Sequence, residues 1–466
     1  MARLHPALEP YSHTSETPWD RTRAAHLLNR AGFGGTEAEI EAVFEAGPVA
    51  SVDRLLDFPD APADEQSRTD VPDLSHIEGY PRTFRERREK LRTLGREERQ
   101  AFDQMLRRGN RQAVLAAGEW WIERMARGPY PLQEKLALFW HGHFTSSAEN
   151  EQNAWLLWQQ NELHRRMAAG NFKAYVKQIS RDPAMLTYLN NQQNRKDAPN
   201  ENYARELMEL FTLGVGEYTE NDIKQVARCF TGWQHDGEQF VFNANQHDTG
   251  TKRVFGFSGP FGGDEVVEIL MRHPACPGYI CGRLIDFFIT ATPDEAVARS
   301  LGQQLKEADF EFRVVLRTLL TSRYFYDEAH VGTKIKSPVQ LVAGTAHILS
   351  VDPPRRQQLL RSLNKMGQVP FYPPNVKGWP GGRTWINTAT LFERYNLAVE
   401  MAANTRVETE GDPARIVDRW LGRLVHRPVH PSKRQTLVTF LGQRPSDGRV
   451  REMVQLIVTM PEYQLC

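Results

Sequence analysis

The chain of 466 residues has only four cysteines, no excess of either charge and no long apolar run. Each shortage removes a class of protein. Cys229, Cys276, Cys281 and Cys466 are too few and too irregularly spaced for a disulfide framework, and the Cys276–Cys281 spacing fits neither a CxxC redox pair nor a zinc knuckle. They are expected to be reduced thiols in or near a core. Lys plus Arg number 58 and Asp plus Glu number 58. That balance excludes a broad basic field, so nucleic acid is not an expected partner. No stretch approaches the ~18–20 apolar residues of a membrane helix, so no membrane span is expected. The opening "MARLHPALEPYSHTSETPWDRTR" has no apolar core behind a basic end. No secretory signal is read there, and the expected location is cytoplasmic.

What is present is helical periodicity. In "TRAAHLLNRAGFG" the apolar positions Ala24, Leu27, Leu28 and Ala31 lie on one face and stop at Gly32. "GTEAEIEAVFEAG" opens with Thr36 and Glu39 as a capping box, and "YTENDIKQVARCFTGW" opens with Thr219 and Asp222 at the same spacing. Thr292 with Pro293 and Glu295, and Ser337 with Pro338 and Gln340, mark two more helix starts. Residues 60–75 read as a loop, and the charged run "RTFRERREKLRTLGREERQAFDQMLRR" as a solvated helix face. Only at 238–257 does the period change to two, where "EQFVFN" and "KRVFGF" flank "ANQHDTGT" and predict one hairpin with a long tip. The fold class is all-α, a single large multi-helix domain with an inserted β-hairpin. The boundaries are an N-terminal arm over 1–20, a main helical domain over 21–403 and a C-terminal helical segment over 404–466.

Three segments can carry chemistry. "FWHGHF" places His141 and His143 two residues apart. On a helix they would point ~200° from each other, but in an extended segment they share a face and can hold one ion. Gly142 makes such a break from helix easy. The alternative is that both rings cap carbonyls or pair with carboxylates. In "NENYARELMELFTLG" the helical period puts Glu206 between Leu210 and Leu213, at the edge of a buried arc, where a carboxylate needs a cation, a donor or a proton. Glu209 follows one turn on, as a general base or as an i, i+4 brace for Arg205. The tip carries His247 and Asp248, a ligand and a group that ligates or orients an imidazole. The tip is expected to fold back over the helices, with Lys252 or Arg253 at the mouth of a cleft. His141, His143, Glu206 and His247 would form a mixed nitrogen and oxygen site suited to zinc, iron or manganese, with Glu209 and Asp248 as catalytic groups. The Pro- and Gly-rich stretch 367–386, "GQVPFYPPNVKGWPGGRTWI", is non-helical and reads as a plug over the core or as an aromatic binding loop.

Taken together, "AAHLLNRAGFGGT", "FWHGHFTSS", "NENYARELMELFTLGVGEYTENDIKQVARCFTGW", "HDTGTK", "KSPVQLV" and "PPNVKGWPGGRTWINTATL" resemble, in order, the bacterial family known as domain of unknown function 1800. The likeness spans roughly residues 22–400. By it, His141, His143, Asn200, Asn202, Arg205, Glu206, Glu209, His247 and Asp248 match motif positions. The resemblance brings no activity with it. It does imply a possible protein partner, an exported sulfatase-like family whose genes often lie beside those of this one, and co-export with that partner. Two functions follow from the residues: a metal-dependent enzyme, hydrolase or oxidoreductase, and a non-catalytic helical scaffold that binds a partner or glycan through residues 370–386.

Overall fold

The computed structural model describes residues 3–14, 17–59, 80–150 and 153–466. The loop expected over 60–75 lies outside them. The chain is predominantly helical, as its periodicity predicts. Helix starts follow the sequence signals. Thr36 and Glu39 bond reciprocally, as do Thr219 and Asp222, and each pair satisfies two otherwise unpaired backbone donors. Ser337 caps the helix Pro338–Leu349, but the Gln340 side chain leaves the cap and donates to the Asn29 carbonyl at 2.9 Å. One start is corrected: Asp294, not Thr292, caps the helix Glu295–Glu307, by accepting from the amides of Ala296 and Val297.

The hairpin expectation is corrected in its pairing. Two separate two-stranded antiparallel sheets replace it, Trp233–His235 with Phe240–Phe242 and Lys252–Val254 with Phe257–Gly259. Each strand takes its nearest neighbour in sequence because each has its own tight turn. Gly237 sits at φ +112° in the first, and Phe255 and Gly256 sit at φ +47° and +84° in the second. Two positive φ values in a two-residue loop match the twist of a hairpin. "ANQHDTGT" therefore links two hairpins and is not the tip of one.

The apolar interior forms two large clusters that meet at the helix Pro131–His143. Leu132, Leu136, Phe139, Trp140 and Phe144 belong to the first, while Ala137 and Leu138 join the second with Trp121, Phe371 and residues of the C-terminal helices. All four cysteines are free and buried. Among the described residues no helix is long and apolar enough to cross a membrane.

A buried ionic cluster fixes the Pro131–His143 helix against its neighbours. Glu134, 1% exposed, accepts from Arg165 Nε at 2.7 Å, Arg124 Nε at 2.5 Å and Trp121 Nε1 at 2.9 Å. Burial alone would raise its pKa, but the two guanidiniums hold it below the ordinary value. Three helices are tied at one carboxylate: Arg96–Arg127, Pro131–His143 and Ala154–Arg166. Replacing one member of such a group strands buried charge, at a cost of ~3–5 kcal/mol. Glu134→Gln should therefore lower the melting temperature sharply by differential scanning calorimetry, whereas Glu89→Gln, in an exposed pair with Arg85, should shift it little.

Candidate functional site

The Pro131–His143 helix runs unbroken through both histidines, so they point to different sides of it. His141 looks into the second cluster. Its ring lies 5.4 Å from that of Trp121, 5.6 Å from Phe371 and 5.4 Å from Trp379. Its Nε2 accepts the backbone N–H of Phe371 at 3.1 Å, which places the proton on Nδ1. His143 looks into the first cluster, stacks on Phe139 at 5.8 Å and donates from Nε2 to the Phe211 carbonyl at 3.1 Å. Burial pushes both imidazoles down to about 3, so both are neutral.

Phe211 belongs to a π-helical turn, Leu207–Thr212, that continues the short helix Asn202–Glu206. A wider turn shifts the faces that follow it relative to a 3.6-residue period. The residues it buries are Leu207, Met208, Phe211 and Thr212, while Glu206 and Leu210 are only half-buried. The turn also frees carbonyls, which side chains satisfy: Tyr279 donates to Leu210 at 2.8 Å, and His143 to Phe211. Arg205 does not brace Glu209. It forks onto Glu220 with two contacts of 2.9 Å, and Glu209 instead accepts from the Tyr218 hydroxyl. Burial, then the nearby Glu209, raises the pKa of Glu206, with Lys377 and Arg205 opposing. Glu206 and Glu209 thus form a half-buried acidic pair beside Lys377.

The His-Asp turn is a brace. His247 Nδ1 donates to the Thr231 carbonyl at 2.8 Å, and its ring meets Phe242 edge-on at 5.2 Å. Asp248 accepts from Arg228 Nε at 2.7 Å and Nη2 at 3.2 Å and from the Gly250 amide at 2.8 Å. Arg228 holds this carboxyl below the usual range. Lys252 is buried against the Asp248 carbonyl and so stands at no mouth. The Asn200 side chain serves the backbone, accepting from the Asn202 amide at 3.0 Å. Among the described residues no three His, Cys, Asp or Glu side chains are grouped to hold a metal ion. His141, His143, Glu206 and His247 are accordingly not brought to one point.

What His141 does hold is the loop after the helix Arg356–Met366. Phe371 is buried at φ +66°, a left-handed conformation costly for an aromatic residue. It is pinned from both sides, its N–H by His141 and its carbonyl by the Ala148 amide at 2.8 Å. Seven residues on, Gly378 adopts φ +76° directly against the histidine helix, where a Cβ would lie 2.3 Å from the Gly142 carbonyl oxygen. Between these two anchors the loop forms one wall of an open cleft of about 1050 Å³. Val369, Tyr372, Pro374 and Trp379 line it from the loop, Arg107, Arg111 and Val114 from the helix Arg96–Arg127, and Arg356, Leu360 and Arg361 from the helix Arg356–Met366.

A family model described as protein of unknown function, DUF1800, matches residues 26–465. The chain belongs to the DUF1800 family. Comparison with curated proteins and with solved structures found no match. In this DUF1800 protein, the histidine motif and the "PPNVKGWPGG" motif meet at the Gly142–Gly378 contact. Sequence reasoning quoted both segments but missed Phe371, Arg107, Arg111 and Arg361. A usable signal was present in Arg107 and Arg111, one turn apart where the charged run ends, the one acid at helical spacing, Asp103, being paired with Arg87.

Two outcomes follow for this DUF1800 protein. In the unfolded chain His141 and His143 bind protons below their ordinary 6.5, and in the folded chain only near 3. Stability is thus unaffected by these rings above pH 6.5 and falls as pH drops from 6.5 towards 3, by up to ~1.4 kcal/mol per pH unit for each. Urea unfolding at pH 7.5, 6 and 5 should show the loss begin above the range where carboxylates titrate, and His141→Gln with His143→Gln should flatten that slope. The glycines should behave oppositely. Gly378→Ala should cost about 1–3 kcal/mol through its positive φ and the backbone collision. Gly142→Ala, whose Cβ would meet open space inside a helix, should leave the melting temperature equal or higher.

Proposed function

We propose that this protein is a helical binding protein whose ligand seats in the cleft beside residues 369–379. The observation that supports it most is the wall itself: Phe371 and Gly378 lie at positive φ against His141 and Gly142 of the histidine motif, and Tyr372 and Trp379 stand between or beside them at the cleft surface. Backbone strain of ~1–3 kcal/mol persists where surrounding structure imposes it, and a cleft of this size is ample for a small organic ligand. On this reading the motif histidines are positioning residues for a binding loop.

The rival reading is a metal-dependent hydrolase or oxidoreductase using zinc, iron or manganese. It requires three or more ligands around one point at ~2.0–2.2 Å. His141 and His143 diverge and each commits a nitrogen to backbone, while His247 is committed to Thr231, so that reading would need these groups to regroup. Binding to a sulfatase-like partner is compatible with the cleft, with a segment of that partner as ligand.

The two readings separate in one experiment on untagged protein. Elemental analysis should give the same zinc, iron and manganese content for wild type and for His141→Gln with His143→Gln. A thermal-shift screen of small metabolites should give stabilising compounds whose effect is lost in Trp379→Ala. Stoichiometric metal that vanishes with the histidines, or hits indifferent to Trp379, would return the metal reading to first place.

A further inference from the structure

The cleft is electrically one-sided. Among the described residues its lining holds four arginines, Arg107, Arg111, Arg356 and Arg361, and a single carboxylate, Glu149. Arg356 is neutralised by Glu119 just outside the cleft, and Glu123 and Asp352 lie near that same end. Arg107, Arg111 and Arg361 have no ion-pair partner among the described residues, and all three are exposed. Earlier in the same charged run, Arg85 pairs with Glu89 and Arg87 with Asp103. On the helix Arg356–Met366, Lys365 faces away from the cleft and pairs with Glu393 at 3.0 Å. Of the four arginines that line the cavity, Arg356 alone has an ion-pair partner among the described residues.

Position adds to charge. Arg107 and Arg111 stand one turn apart on one wall, about 6 Å along the axis, and Arg361 comes from the opposing helix. That helix begins at the cleft with Arg355 as its cap, no side-chain cap bond and no acid in its first turn. Arg111 and Glu149 are both close enough to act on the Tyr372 hydroxyl, whose pKa burial raises, Arg111 lowers and Glu149 raises. Trp379 supplies a flat apolar face. A concave, low-dielectric wall focuses the field of the arginines, and guanidinium forks match phosphate and carboxylate oxygens in pairs.

We propose that the cleft binds a small organic polyanion, bearing two or more phosphate or carboxylate groups that reach from Arg107 and Arg111 to Arg361, with a ring laid on Trp379. This rests on the binding-protein reading above and names the chemistry of its ligand.

The test is calorimetric titration of the full chain at about 50 and 200 mM salt, with paired probes: ADP against adenosine, and trigalacturonate against maltotriose. At least one charged member should bind, with its neutral counterpart roughly tenfold or more weaker, and its affinity should fall at the higher salt. ADP as the tighter probe assigns phosphate, and trigalacturonate assigns carboxylate. Arg107→Gln with Arg111→Gln, and separately Arg361→Gln, should each weaken that probe about tenfold. These side chains are exposed and unpaired, so the melting temperature of the variants should stay at the wild-type value. Equal binding of charged and neutral members, lost in Trp379→Ala but not in the arginine variants, overturns the polyanion and leaves the binding cleft standing. Binding indifferent to Trp379 and to the arginines overturns both. Failure of all four probes to bind at millimolar concentration overturns the polyanion.

Discussion

The rest of the structure depends on one constraint: two imidazoles buried on opposite sides of a single unbroken helix must both stay uncharged and both find a backbone partner. A helix with its histidines two apart cannot satisfy them from one neighbour. The Pro131–His143 helix therefore has to be clasped from two directions. From one side comes the π-helical turn, which offers the Phe211 carbonyl to His143. From the other comes the loop of residues 367–386, which offers the Phe371 amide to His141. An imidazole can donate from one nitrogen and accept at the other, and here the two rings use opposite roles at the same atom. This is why histidine is suited to both places, and why a charge on either ring would be expelled by its aromatic surroundings.

The acidic residues divide by a similar logic. Glu134 is fully buried and survives as a charge because two guanidiniums and an indole N–H reach it. Glu206 has no such partner among the described residues and stands only half-buried. Asp248 sits where Arg228 and the Gly250 amide saturate its oxygens. None of these carboxylates combines burial, free lone pairs and a nearby imidazole, the combination that distinguishes a ligand or general base from a brace.

Much of the fold was legible because helix ends are written locally. Thr36, Thr219 and Ser337 begin helices for reasons contained within four residues. The strand segments were legible too, but not their partners, since the Phe255–Gly256 turn needed an aromatic at positive φ, which no propensity favours. Glu206 stands half-buried, at the edge of the buried arc as its helical period predicts, although the chain widens to a π-turn at the next residue. The histidine pair could converge only if Gly142 broke the helix, and the helix runs through it, so that His143 instead donates to a carbonyl. The Cβ direction of Gly142 is open and its conformation helical; the demanding glycine is Gly378, more than two hundred residues away, and only the folded chain brings it there.

That last contact suggests how the family's motifs and the cleft's chemistry relate. The segments on which the resemblance rests contain His141, His143, the π-turn, the His-Asp turn and Gly378, and each of these holds backbone in place. Arg107, Arg111 and Arg361, which present charge to the cavity, lie outside those segments. A binding site needs both kinds of residue, and they answer to different constraints. Residues that pin a strained loop are fixed by geometry, since Phe371 and Gly378 tolerate no other arrangement of the helix beneath them. Residues that face the ligand are fixed only by what is bound, and an arginine on an exposed helix surface can be exchanged with little effect on the fold. The motifs therefore describe how the wall is built and supply Trp379 to it, whereas the arginines that give the cleft its charge lie outside them.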